Sequence, residues 1–232
     1  MRNNLKEADI LKKISEKSSM KQDVYEKTHE IFDMLKDISK EIAESSHKQI
    51  KKIDKRINVE YTDSGEFEAQ IKIAGDMLVM SMHTNVFEFP RDHEIMQSSY
   101  IKKDISRSYC GVIYIYNFLA DSLKYNRTND VGYLVARIFI NREYHYMVEG
   151  KRQIGLLYNN FINQTIDRPL LKKVLISSIL YCLDFDLLTP PYDVMKEVSV
   201  FEMLENSNNM NIKTGKRLGF KFQVDQDDFK NK

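Results

Sequence analysis

No glycine or proline occurs before Gly65, although the 232-residue chain holds eight glycines and four prolines. These are the strongest helix breakers, so their absence leaves residues 1–64 free to run as helix. Cysteine occurs only twice. Cys110 and Cys182 sit in apolar surroundings, and no CxxC or Cys/His spacing points to zinc. No apolar run reaches the ~18 residues of a spanning helix, and Lys172 and Lys173 interrupt the most hydrophobic C-terminal segment. MRNNLKEADILKKISEK carries charges where a signal peptide is apolar, so a cytoplasmic protein is expected. Asn126-Arg127-Thr128 and Asn163-Gln164-Thr165 match the glycosylation pattern but lack that secretory context. Nucleotide loops of the GxGxxG and GxxxxGK types are missing, and no Ser-His-Asp or Cys-His set has a diagnostic context.

The net charge is +1, which excludes a global field for nucleic acid or anionic membrane. Hydrophobic residues make up 42% and charged residues 30%, the balance of a chain that folds around a core. Only KQIKKIDKR over 48–56 is locally basic, where cations offset the dipole at a helix C-terminus.

Three regions follow: a helical region over 1–58, a globular body over 59–205 and a polar tail over 206–232. Leu5, Ile10, Leu11 and Ile14 outline a short helix, and Ser18-Ser19 with Gln22 predicts a break and a new cap. Val24, Thr28, Ile31, Leu35, Ile38 and Ile42 then alternate spacings of four and three, and the stripe skips to Ile50, Ile53 and Ile57. This stripe fits a dimerising coiled-coil stalk and equally fits a helix packed on its own domain, a use that Phe32 and Met34 favour by widening it.

Asp63-Ser64-Gly65 is a turn signal. Phe67 to Ile73 alternates as a strand, Gly75-Asp76 turns it, and 77–89 is apolar on both faces as a central strand ended by Pro90. Residues 91–108 read as polar and irregular. CGVIYIYNF over 110–118 is another two-sided strand, and residues 119–125 suit strand or helix. YLVARIFI and EYHYMVEG flank Asn141-Arg142 as a hairpin in which Ile140 would pair with Glu143. Helices are expected over 153–164, from Pro169 and over 198–205, and LGFKFQV in the tail could add an edge strand. The fold class is α+β: an antiparallel sheet of about five strands with C-terminal helices behind a long amphipathic helix.

That register puts Asp130 opposite Gln153 and Leu134 opposite Glu149, so Asp130, Glu149, Lys151 and Gln153 share a face. An acid opening one strand and Glu-x-Lys closing its partner resembles the layout of the PD-(D/E)xK nucleases, over residues 130–153. The resemblance implies that both carboxylates hold a divalent cation such as Mg2+ while Lys151 positions the attacking water. Gln153 followed by Tyr158 is similar to the RecB-like subgroup.

His83 and Asn85 share a face of the 77–89 strand, with Asp92 and His93 after it. If buried they need partners, and a ligand can supply them. Arg137 falls opposite Tyr146 in the register above, within reach of a cation–π contact. Tyr114, Tyr116, Tyr133, Tyr144 and Tyr146 line the same strands and could cradle a planar or anionic ligand. His83, Asn85, Arg137, Tyr144 and Tyr146 are therefore the candidate ligand residues. Asp184, Asp186 and Asp193 read as caps and turns.

Stalk-then-sheet order is similar to that of PAS and GAF sensory modules. The expected role is a cytoplasmic ligand- or partner-binding module that self-associates through its N-terminal helix. A metal-dependent nuclease or phosphodiesterase is the alternative.

Overall fold

The computed structural model describes residues 7–204 except 129, 152, 153, 159, 190 and 202. The predicted tail and its LGFKFQV segment lie outside the described residues.

Helix α1 (Glu7–Lys13), a π-helical turn (Ile14–Ser18) and α2 (Ser19–Ile53) follow one another without a break. The predicted break and cap do not form, because Ser18 and Ser19 both keep helical backbone angles and the Ser18 side chain caps nothing. Two hairpins follow: β1 (Val59–Asp63), β2 (Glu68–Ile73) and β3 (Asp76–Met82). The sheet continues with β4 (Phe87–Glu88), β5 (Tyr109–Leu119), β6 (Tyr133–Asn141) and β7 (Tyr146–Gly150), in the antiparallel order β1-β2-β3-β5-β6-β7, with β4 beside β5. Short helices α3 (Ser99–Lys103) and α4 (Ala120–Lys124) lie between the later strands, and α5 (Ile154–Leu157), α6 (Arg168–Leu183) and α7 (Tyr192–Met195) follow the sheet.

The α+β class and antiparallel sheet stand as expected, with more strands than anticipated. Strand β1 is the unexpected one, a short edge carrying Glu60 and Asp63 that pairs with β2 across the Asp63-Ser64-Gly65 turn. The 77–89 segment breaks after Met82, and residues 119–125 resolve mostly as α4. Among the described residues of 153–164, helix is confined to α5. Helix α6 opens as anticipated, with Pro169 in its first turn and Asp167 Oδ1 accepting from Leu170 N at 2.8 Å.

Strand alternation sends Ala69, Ile71, Leu78, Met80, Ile113, Ile115, Ile138, Tyr146 and Val148 to one face. Helices α2 and α6 lie side by side on it. The seam of α2 is spent here: Val24, Thr28, Leu35 and Ile38 are fully buried, joined by Ile31 and Phe32. Those side chains are covered by the chain's own sheet. The stripe fades downstream, and Ile53 is 82% exposed. Nothing of α1 is buried, and Ile10, Leu11 and Ile14 face solvent.

The closest approach is at Gly111 on β5. A Cβ there would lie 2.1 Å from Thr28 Oγ1, so the missing side chain lets α2 cross the strand directly. Thr28 Oγ1 donates to Val24 O at 2.7 Å, which satisfies its buried hydroxyl.

The second face is covered over only part of its area. Phe89, Ile95, Met96 and Ile101 from the β4–β5 connection, with Phe161, cover Cys110, Val112, Phe139 and Met147. Ser98 and Asp104 cap successive turns of that connection, which gives order to a stretch whose composition reads as irregular.

Candidate functional site

Where that cover stops, the second face carries a band of half-buried side chains. The register sets them in three rows across the sheet. Glu68, Ser81, Tyr114, Arg137 and Glu149 form the first, and Gln70, Val79, Tyr116 and Leu134 the second. Lys72, Met77 and Phe118 form the third. A bulge at Ile115/Tyr116 brings Tyr116 opposite Leu134. The centre is apolar and aromatic, while charge lies at both ends: Glu68, Lys72 and Glu60 toward β1, Arg137 and Glu149 toward β7.

Tyr114 and Tyr116 stack with centroids 5.7 Å apart and planes at 25°. The His83 ring stands edge-on, 6.4 Å from Tyr114 and 4.8 Å from Phe87. The rings thus form an aromatic strip in which Tyr114 and Tyr116 are stacked and His83 is turned edge-on. The Arg137 guanidinium pairs with Glu149 and lies 5.0 Å from the Phe139 centroid.

Of the five candidate ligand residues, His83 and Arg137 border this band. His83 is not in the strand proper; its Nδ1 accepts from Asn85 N at 2.9 Å, and Asn85 is exposed in the turn. Tyr144 sits at the hairpin tip with φ of 62°, its hydroxyl donating to Glu30 at 2.5 Å and Lys27 5.1 Å over its ring. Tyr146 is on the helix-covered face, 1% exposed, and donates to Gln164 Oε1 at 3.0 Å.

The expected hairpin register is corrected by three residues. Arg137 pairs with Glu149 and Ile140 with Tyr146. The turn is longer than two residues because Asn141 Oδ1 accepts from both Glu143 N (2.9 Å) and His145 N (3.0 Å). An odd shift reverses the facing of every side chain, which separates Arg137 from Tyr146. Asp130 precedes β6 and lies opposite no residue of β7. Its carboxylate accepts from Ser122 Oγ at 2.5 Å and lies 3.8 Å from Arg127. Glu149 is paired with Arg137 instead. The Lys151 backbone N–H donates to Val135 O at 3.0 Å, and Gln153 lies outside the described residues. Among the described residues no group of three or more His, Cys, Asp or Glu side chains is placed to share a metal ion. His93, from the other polar cluster, caps the turn after it, Nδ1 accepting from Ile95 N.

Two polar clusters escape sequence reasoning because their members are distant in the chain. At the hairpin tip, Glu143 accepts from Tyr100 Oη (2.8 Å) and Arg107 Nε (3.0 Å), and Asn141 Nδ2 donates to Tyr100 Oη at 2.9 Å. Burial alone would raise the Glu143 carboxyl, but those two donors hold it below the usual range. The cluster pins the β4–β5 connection onto the sheet. At the opposite end, Asn117 Nδ2 donates to Asp76 Oδ1 (2.8 Å) and Tyr133 Oη (2.9 Å), close to the C-terminal end of α6. Burial pushes the Cys182 thiol up to about 12, so it stays protonated.

Burial also raises the Asp76 carboxyl, with the Asn117 amide pulling the other way. The folded chain therefore holds this proton more tightly than the unfolded one. The associated stability is present in acid and lost as pH rises through the folded pKa. Asp76→Asn carries no such charge and keeps an acceptor for Asn117. It is expected to melt above wild type near pH 7, the margin closing toward about pH 4. Equal margins in thermal melts at both pH values would show that ionisation of Asp76 is irrelevant.

Two hollows open to solvent lie elsewhere. One of about 260 Å³ runs between α2 and β1, lined by Lys40, Glu44, His47 and Tyr61. One of about 400 Å³ lies between Lys17 and Met20 on one side and Asp104, Tyr109 and Arg142 on the other. No helix among the described residues is long and apolar enough to cross a membrane. Comparison with protein-family models, curated proteins and solved structures returns no match.

Proposed function

We propose that this protein is a non-catalytic, cytoplasmic binding module that takes its ligand or partner on the open band of the sheet. The observation that carries the reading is the asymmetry of the sheet's two surfaces. One is sealed by α2 and α6, while Met77, Val79, Tyr116, Phe118 and Leu134 on the other remain half-buried. A contiguous apolar and aromatic centre with a charged rim is the anatomy of an interaction surface. The rim of the band carries both signs of charge, which suits a partner of mixed charge better than a polyanion. Cys110 and Cys182 are unpaired and buried, in keeping with a reducing compartment.

Native mass spectrometry of freshly purified protein tests this directly. The expected spectrum shows a dimer, a retained small molecule or a co-purified protein, and Tyr116→Ala diminishes that species. A bare monomer unchanged by Tyr116→Ala counts against the band as a binding surface.

A further inference from the structure

Resting on that reading, we propose that the partner is a second copy of this chain, docked sheet to sheet about a two-fold axis parallel to the strands. Such an axis, placed between β3 and β5, sets each strand against its counterpart on the other side of the axis. In the first row Glu68 of one copy then meets Arg137 of the other, and Ser81 meets Tyr114. In the second row Val79 meets Tyr116, and in the third Met77 meets Phe118. The apolar centre falls on apolar centre, aliphatic against aromatic, and the rim places a carboxylate on a guanidinium twice. A patch of one sign would repel its copy, whereas this band is complementary to itself.

The β1 end and the β7 end of the band differ in a way that suits this pairing. On β2, Glu68 already accepts from Gln70 Nε2 at 2.8 Å, which holds its carboxylate on this face. On β6, Arg137 is held by Glu149 and remains 40% exposed, so its guanidinium can add a second carboxylate. Both groups are pre-positioned by neighbours on their own strands or the next.

The size of the patch sets the expected strength. Five strands at about 4.8 Å spacing and three rows about 7 Å apart give roughly 400 Å² per copy, about 800 Å² in total, which is below the ~1,000 Å² of a stable interface and fits a weak, transient one. The dimer is therefore weak and reversible, with monomer and dimer in exchange.

Sedimentation equilibrium from about 1 to 200 μM reads this out. Wild type is expected to move from monomer toward dimer across that range. Arg137→Glu and Glu68→Arg are each expected to weaken association at least about tenfold. The double variant restores it to within about threefold, because both ion pairs re-form with reversed sign. Loss of the Arg137–Glu149 pair within one chain is not repaired by Glu68→Arg, so restoration is specific to the docked geometry. Thermal melts confirm that each variant is folded.

A wild type that stays monomeric throughout overturns self-docking. A small molecule or foreign protein retained in native spectra would then preserve the broader binding reading. Singles that weaken association without rescue overturn the two-fold pairing of Glu68 with Arg137. A chain ending at Leu204 is expected to dimerise like wild type. Dimerisation that appears only after that shortening would place the chain's own C-terminal residues on the band and overturn the proposal.

Discussion

A chain cut back to residues 54–232 is expected to lose cooperative unfolding altogether. Met20, Val24, Ile31, Phe32, Leu35 and Ile38 are buried against the sheet. At about 1.5–3 kcal/mol for each large side chain, their burial contributes roughly 9–18 kcal/mol. The net stability of a typical domain is about 5–15 kcal/mol. Removing the helix therefore takes away as much as the whole margin and bares Ile113, Ile115 and Ile138 to water. Near-UV circular dichroism should vanish and dye binding to exposed apolar surface should rise. A shortened chain that melts sharply with native-like spectra would show that α2 is an appendage. Leu35→Ala is the milder version, expected to cost about 2–5 kcal/mol in denaturant unfolding of the full chain.

Gly111→Ala should be about as damaging as Leu35→Ala although it adds one methyl group. The new Cβ would sit 2.1 Å from Thr28 Oγ1 and 2.7 Å from Thr28 Cβ. Thr28 cannot swing clear, because it is fully buried and its hydroxyl is tied to Val24 O. Helix α2 must lift off β5, which strains packing along its whole length. A loss of about 3 kcal/mol, the upper end for overpacking, is expected in urea melts. Gly75→Ala supplies the contrast, since the added Cβ there meets no described atom within 4 Å. It should be neutral or gain about 0.4–1 kcal/mol through the unfolded state. Equal losses at the two glycines would refute the crossing as the cause.

The same crossing explains what the sequence did and did not disclose. Alternation in β2, the two-sided apolar runs of β3 and β5 and the hairpin around Asn141-Arg142 are visible residue by residue, so class and pairing sense were legible. The destination of α2 was not, because a four-three stripe serves a coiled coil and a sheet-packed helix alike. Thr28 in the seam and Gly111 in a strand were the discriminating pair, but only their proximity gives them meaning. Strand β1 escaped notice because Val59 and Tyr61 alone are apolar in five residues.

Half of the candidate site was equally hidden. Tyr114, Tyr116, Arg137 and His83 were marked by type, and the structure does gather them along one border. Tyr144 and Tyr146 belong elsewhere because the Asn141 side chain lengthens the turn, a choice that Asn-Arg composition does not dictate. The Asp76–Asn117–Tyr133 and Tyr100–Arg107–Glu143 clusters join residues far apart in sequence, which no local pattern encodes.

The contacts of α2 also set the order of assembly on the ribosome. The helix emerges first, yet its receiving surfaces are completed only when β6 and α6, ending at Asn141 and Leu183, have been synthesised. Until then its oily flank has no berth, and a nascent chain stalled midway presents that flank to whatever is near. Commitment to the native state is thus deferred until α6 has been synthesised. A chaperone that shelters the newborn helix should raise yield more than one acting on the finished chain.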